Sequence, residues 1–212
     1  MTVQSIFLEE LERDALTELV NIGVSRAASS LRKMVGEQVL LSVPSVEVVT
    51  REGAATLIRE RESGELVAVR QDFEGVFSGR ALLIFPQANS LALVHAVTGG
   101  ALSQDEATEM EDEALAETGN VVLNSCLATM ANMLQRPLQM SLPEVLRGDG
   151  GALFNLSDKH ADGGVVLFLY INFAINDRDI RGYIAMLMDL PSLQALRALI
   201  QDFIERVAGD VA

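Results

Sequence analysis

Residues Glu10 to Pro44 read ELERDALTELVNIGVSRAASSLRKMVGEQVLLSVP, and residues Glu109 to Pro143 read EMEDEALAETGNVVLNSCLATMANMLQRPLQMSLP. At a shift of 99 the two stretches align without a gap and share nine of 35 residues. These are Glu10/Glu109, Glu12/Glu111, Ala15/Ala114, Leu16/Leu115, Glu18/Glu117, Asn21/Asn120, Met34/Met133, Ser42/Ser141 and Pro44/Pro143. Average composition alone gives roughly two or three matches over such a length. Apolar character also persists at Ile22/Val121, Val24/Leu123, Leu31/Met130, Val35/Leu134 and Val43/Leu142. One supersecondary unit has therefore been used twice, and the architecture follows from that.

Beyond the second proline the shift grows, because Phe85-Pro86 answers Leu190-Pro191 at 105. This implies about six inserted residues, with Gly148 to Gly151 and Asp162 to Gly164 the natural places for them. Each half reads as an amphipathic helix, an extended piece around the proline, two strands and a closing helix. The extended pieces are Val39 to Val49 and Leu138 to Leu146. The strands are Leu66 to Phe73 and Arg80 to Phe85 in the first half, Val165 to Ile175 and Ile180 to Asp189 in the second. The closing helices are Gln87 to Val97 and Leu193 to Val207, with Pro86 and Pro191 at their starts, where a missing N–H costs least. Halves this small gain stability by packing together, so the expectation is an α/β fold in one domain, 1–212. It would consist of pseudo-repeats of about 8–100 and 107–212 around a pseudo-twofold axis, with about six strands in one sheet covered by helices.

With 49% hydrophobic and 22% charged residues the composition is that of a globular protein. Thirty acidic against 16 basic side chains leave a formal charge of -14, which repels polyphosphate backbones and anionic lipid. Nucleic acid and membrane surfaces are disfavoured as partners, and a cationic or metal-bearing protein surface is favoured. Cys126 stands alone, no basic segment precedes an apolar one at Met1 to Glu10, and no apolar run reaches the length needed to cross a bilayer. A cytoplasmic location is expected.

On a helical wheel with Asp14 at zero, Glu18, Asn21 and Ser25 fall within a narrow stripe, while Leu16, Leu19, Val20, Gly23, Ala27, Leu31 and Met34 lie opposite. The second copy repeats this, with Glu113, Glu117, Asn120 and Asn124 on the polar line and Leu115, Val122, Cys126, Met130 and Met133 on the core side. The polar line should look outward, and Cys126 should be a buried small hydrophobe. Acidic and amide residues on an outer helix face are usually solvated surface. Asn is a mediocre helix former, however, and finding Glu-x-x-Asn at the same place in both halves points to retained geometry. Glycine-rich phosphate loops, paired Cys-x-x-Cys, His-Glu-x-x-His and Gly-x-Ser-x-Gly are all absent from the sequence. His95 reads as a structural histidine in a helix, His160 as a loop residue, and Asp177-Arg178-Asp179 as a hairpin turn.

The motif Asp14, Glu18, Asn21, Pro44 and its second copy Glu113, Glu117, Asn120, Pro143 resemble the signature of the CheC, CheX and FliY family of chemotaxis phosphatases. That signature is an acidic or serine residue, Glu four on, Asn three further and Pro 23 later. Two copies in one chain resemble the CheC branch most. The departures are Glu113, where the pattern prefers Asp or Ser, and Val24-Ser25-Arg26, where relatives have small residues. The resemblance implies a CheC-like fold and hydrolysis of the aspartyl phosphate on the response regulator CheY. It implies Glu18, Asn21, Glu117 and Asn120 as the catalytic residues, with Asp14, Pro44, Glu113 and Pro143 peripheral. The Asn amides would position water, and the glutamates would accept the regulator's lysine. No cofactor is implied in this chain, the Mg²⁺ being carried by the response regulator. The alternative is a weakly catalytic regulatory module that binds phosphorylated CheY, the deamidase CheD, or both.

Overall fold

The computed structural model describes residues 8–36, 38–43, 45–98, 103–154, 164–175 and 178–209. Pro44, His160 and Asp177 lie outside the described residues. In chain order the elements are α1 (Glu10–Val35), β1 (Val39–Ser42), β2 (Val46–Thr50), α2 (Arg51–Arg61), β3 (Leu66–Gly75) and β4 (Gly79–Pro86). A 3-10 turn (Gln87–Asn89) leads to α3 (Ser90–Val97), α4 (Gln104–Glu109) and α5 (Glu111–Met133). Then come β5 (Leu138–Met140), β6 (Glu144–Gly148), α6 (Gly150–Leu153), β7 (Val165–Ile175), β8 (Arg178–Met188) and α7 (Leu190–Gly209).

The helix that carries the first motif begins where its sequence provides a cap. Glu9 and Glu12 form a reciprocal capping box, the Glu9 amide donating to Glu12 Oε2 at 2.8 Å. The same Glu12 is almost wholly buried and accepts from Arg197 Nε and Gln201 Nε2, which ties α1 to α7. At the other end α1 stops on Gly36 with φ of 74°. Its counterpart 99 residues on, just past the end of α5, is Gln135 with φ of 55°. Both sites use the left-handed conformation that releases a chain from a helix, but glycine enters it freely and glutamine does not.

The eight strands occupy six positions in one sheet, every pairing antiparallel, in the order β1-β7-β8-β4-β3-β5, with β2 continuing β1 along β7 and β6 continuing β5 along β3. The register makes the symmetry explicit. Val39 faces Ile175 as Leu138 faces Gly75, and Val46 faces Leu169 as Val145 faces Val69. These pairs equate β1–β2 with β5–β6 at a shift of 99 and β3 with β7 at a shift of 100. The hairpin pairs Leu66–Pro86 and Val166–Leu187 then equate β4 with β8 at 101. At that shift Leu83 is the counterpart of Ile184, and the two face each other across the β4–β8 pair, so the pseudo-twofold passes between them. The shift of 105 expected from the two prolines is therefore not the structural one. Pro86 ends a strand opposite Leu66, its counterpart is Leu187, and Pro191 already lies in α7. The second half has gained two residues, one between β6 and β7 and one between β7 and β8.

Each half lends its edge strands to the other. The first half's β1–β2 pairs with the second half's β7, and the second half's β5–β6 pairs with the first half's β3. The helices do likewise, α3 packing on α5 and α7 on α1. Helices cover both faces. On one face α1, α3, α5 and α7 bury Leu16, Leu19, Val20, Leu31 and their counterparts against Val67, Val69, Phe73, Leu83, Leu167 and Ile184. On the other, α2 and α6 bury Ala54, Ala55, Ile58 and Phe154 against Leu66, Ala68, Leu82, Ile84, Phe168 and Tyr183. Strands buried on both faces read as continuous apolar runs, which is why Leu66 to Val69 and Ala81 to Phe85 show no alternation.

Two expectations need correction. The helix α2 was unanticipated, although Thr50 caps it by accepting from the Gly53 amide and its three buried residues follow helical spacing. The short α4 and α6 were likewise unanticipated. Met34, expected in the core, is 46% exposed near the end of α1. Cys126 is wholly buried at the α1–α5 contact, as expected, and burial pushes its thiol up to about 12.

Candidate functional site

The two motifs occupy equivalent places, each in the first half of a long helix lying over the sheet. Glu18 and Glu117 are exposed and make no ion pair among the described residues, so their carboxylates are available to a partner's cation. Asp14 and Glu113, one turn earlier, are also exposed. Pro143 is half-buried beyond β5.

The asparagines do not simply look outward. Both are half-buried, turned toward the chain that borders the helix, and each is held there by a different device. Asn21 Oδ1 accepts from the Val43 amide at 2.9 Å and Asn21 Nδ2 donates to the Val43 carbonyl at 3.0 Å. The side chain thus pairs with main chain at the break between β1 and β2, satisfying the backbone of a residue only 1% exposed. Among the described residues, one N–H and one lone pair of the amide remain for a ligand.

Asn120 has no such partner, for Leu142, the counterpart of Val43, is turned out and 88% exposed. Ser141 is bound to β3 instead, its amide donating to Asp72 O and its Oγ accepting from the Asp72 amide, both at 2.9 Å. Ser141 Oγ also donates to the Leu142 carbonyl. Asn120 Oδ1 accepts from Asn124 Nδ2 at 2.6 Å and from Gln71 Nε2 at 3.2 Å. Gln71 escaped the sequence reading. The visible signal was its place in the row Val67, Val69, Gln71, Phe73, the helix-facing side of a strand that is otherwise apolar there.

In front of the first site the surface forms a shallow depression of about 360 Å³ lined by Glu18, Asn21, Ile22, Ser25, Arg26 and Ser29. Its departure from the family pattern, Val24-Ser25-Arg26, is accommodated simply. Val24 is buried, Ser25 is exposed, and Arg26 Nη1 crosses to Thr129 Oγ1 of α5 at 3.2 Å. Among the described residues no group of His, Cys, Asp and Glu could hold a metal ion, and no helix is long and apolar enough to cross a membrane.

An exposed carboxylate one helical turn from a pre-oriented amide is presented twice on a pseudo-symmetric α/β scaffold, on open surface unlike the enclosed pockets that bury small molecules. The chain is similar to the CheC, CheX and FliY family of chemotaxis phosphatases: a model described as the CheC-like family matches residues 11–48, and one described as chemotaxis phosphatase CheX matches residues 67–168. The first match contains the first motif up to the proline, and the second contains the whole second motif.

Among curated relatives, the chain is 26% identical over 210 residues to the CheY-P phosphatase CheC of Bacillus subtilis (strain 168), covering 91% of this chain and 96% of that one. It is also 26% identical over 140 residues to the flagellar motor switch phosphatase FliY of the same organism, covering 65% of this chain and 36% of that protein. The chain thus spans about a third of that longer relative. Among solved structures, Thermotoga maritima FliY superposes with a TM-score of 0.70 at 17% identity, covering 92% of this chain and 98% of that one. The FliM middle domain of H. pylori gives 0.61 at 9% identity, covering 91% and 99%. Similarity at this level concerns the fold, and activity has to be argued from the site.

Proposed function

We propose that this chain hydrolyses the aspartyl phosphate of a phosphorylated CheY-like response regulator in the cytoplasm. The observation that carries the reading is the double presentation of an unpaired Glu beside an Asn whose amide is already held in place. The regulator brings its own Mg²⁺ and lysine, so this chain has only to dock and to position water. Glu18 and Glu117 receive the regulator's lysine in a charge-assisted contact, and the net charge of -14 draws a basic partner surface in.

Asn21 or Asn120 then holds a water in line with the bond to be broken. The water oxygen attacks phosphorus, the bond from phosphorus to the aspartyl oxygen breaks, and the products are inorganic phosphate, the free carboxylate and a proton. Holding an amide rigidly removes rotational freedom that would otherwise be lost at the transition state. The names of the CheC and FliY relatives support this reading.

The test is the decay of phosphorylated CheY with substoichiometric protein present. Faster decay, with each molecule turning over many times, is expected. Saturable binding to the phosphorylated regulator or to CheD without phosphate release would replace the phosphatase by a regulatory binding module.

A further inference from the structure

We infer that Gln71 is a positioning residue of the second site, holding Asn120 so that its amide N–H groups face the docking surface. The inference rests on the phosphatase reading above and adds a residue to it. Gln71 is 1% exposed and faces the helices in the same row as Val67, Val69 and Phe73. The sheet register equates it with Ile171, which is 3% exposed and packs in the same core. An apolar side chain therefore suffices for packing at that place, and a buried amide there carries a desolvation cost that only its bonds can offset.

Those bonds converge on one atom. Nε2 lies 3.0 Å from Ser141 O, 3.2 Å from Asn120 Oδ1 and 3.4 Å from Asn124 Oδ1. The Ser141 main-chain carbonyl fixes that atom as the nitrogen, and its two hydrogens serve the nearer pair, Ser141 O and Asn120 Oδ1. The far side of the amide, Oε1, is buried without a partner among the described residues, which costs about 1–3 kcal/mol in general. A glutamine at this position is thus a poor choice for stability.

What it does achieve is local. With donors from Gln71 and Asn124, both lone pairs of Asn120 Oδ1 are filled, while Asn120 Nδ2 makes no bond among the described residues. The amide cannot flip without breaking two bonds, and donation into its oxygen strengthens its own N–H groups as donors. In the first site the Val43 main chain orients Asn21 but takes one of its N–H groups in return. Side chains at the second site do the same work and leave both N–H groups free.

Each site can be isolated without disturbing either asparagine by reversing its exposed glutamate. With Glu18→Lys silencing the first site, Gln71→Met should lower kcat about 10-fold or more with KM unchanged, since loosening a positioning group acts on the reacting geometry and not on docking. With Glu117→Lys silencing the second site, Gln71→Met should change kcat less than about twofold. Asn124→Ala, which removes the other donor from a half-buried surface position, should lower kcat in the first background only. Melting should be unchanged or raised in Gln71→Met, because an unpartnered buried oxygen has gone. An unaltered kcat in both backgrounds would overturn the assignment, and so would a loss in both or a rise in KM alone. A parent protein that releases no phosphate at all would instead remove the phosphatase reading, and the role of Gln71 with it.

Discussion

Gly23 lies where α1 touches α5, and adding one methyl group there tests the packing on which both sites depend. A Cβ at Gly23 would stand 2.7 Å from Cys126 Cα, 3.2 Å from Ser125 O and 3.3 Å from Cys126 N. Carbon atoms settle at about 3.5–4.0 Å, so the deficit is about 1 Å. The obstructing atoms are main chain, so no rotamer change relieves it and α1 must move off α5. Overpacking costs about 1–3 kcal/mol and, with rigid main chain as the obstacle, about 2–3 here, against which Ala is worth about 1 kcal/mol over Gly in a helix interior. A net loss of about 1–2 kcal/mol is expected for Gly23→Ala, and a fall in Tm of about 2–8 °C for a chain of this size. Gly64→Ala is the control. A Cβ there meets nothing within 4 Å, and the change should be neutral or stabilising by up to about 1 kcal/mol through the unfolded chain. Thermal and urea unfolding of both variants supply the comparison. A Gly23→Ala protein as stable as its parent would refute the close approach of the two helices.

The two asparagines should differ in stability and agree in chemistry. Asn21→Ala strands the Val43 N–H and C=O and should cost about 1–3 kcal/mol in urea unfolding, whereas Asn120→Ala leaves Gln71 its bond to Ser141 and should cost less than about 1 kcal/mol. Replacing both should slow phosphate release about 100-fold, measured under conditions where the double variant remains folded. Gln135→Gly should raise Tm by about 2–4 °C, because it relieves a left-handed residue worth about 1 kcal/mol. For Glu12, burial pushes the carboxyl up but is outweighed by hydrogen bonds from Arg197, the Glu9 amide and Gln201, so its pKa is held below the ordinary value. Its contribution to stability is then complete above the unfolded value of about 4.3 and is lost as pH falls through the lower, folded one. Acid unfolding of Glu12→Gln should show a flatter dependence below about pH 4.

The repeat was legible because a gapless shift of 99 preserves both polar and apolar positions of a helix, and the helix carried the motif with it. The paired strands were legible as apolar runs. Three things were not. The register of β4 against β8 depends on ladder pairings between halves, so a proline match could not supply it and gave 105 in place of 101. The helix α2 was hidden because its buried face is only Ala54, Ala55 and Ile58 among charged residues. The tethering of the asparagines was hidden because Val43 reaches Asn21 from 22 residues away and Gln71 reaches Asn120 from 49. A helical wheel sees only which way a side chain leaves its own axis, and Asn21 and Asn120 leave it outward before turning to these partners.

The exchange of edge strands has a consequence for how the chain comes to be folded. During synthesis the first half emerges with β1 and β2 lacking the strand they pair with, and with one side of β3 bare, until β5, β6 and β7 have followed more than 60 residues later. Within the first hundred residues only the β3–β4 hairpin can pair, so completion of the sheet waits on contacts far apart in sequence, a topology that folds slowly. In that interval the missing strands can come from any chain with the same sequence. Two nascent copies lying side by side could therefore complete each other's sheets and form a domain-swapped dimer that keeps every native pairing.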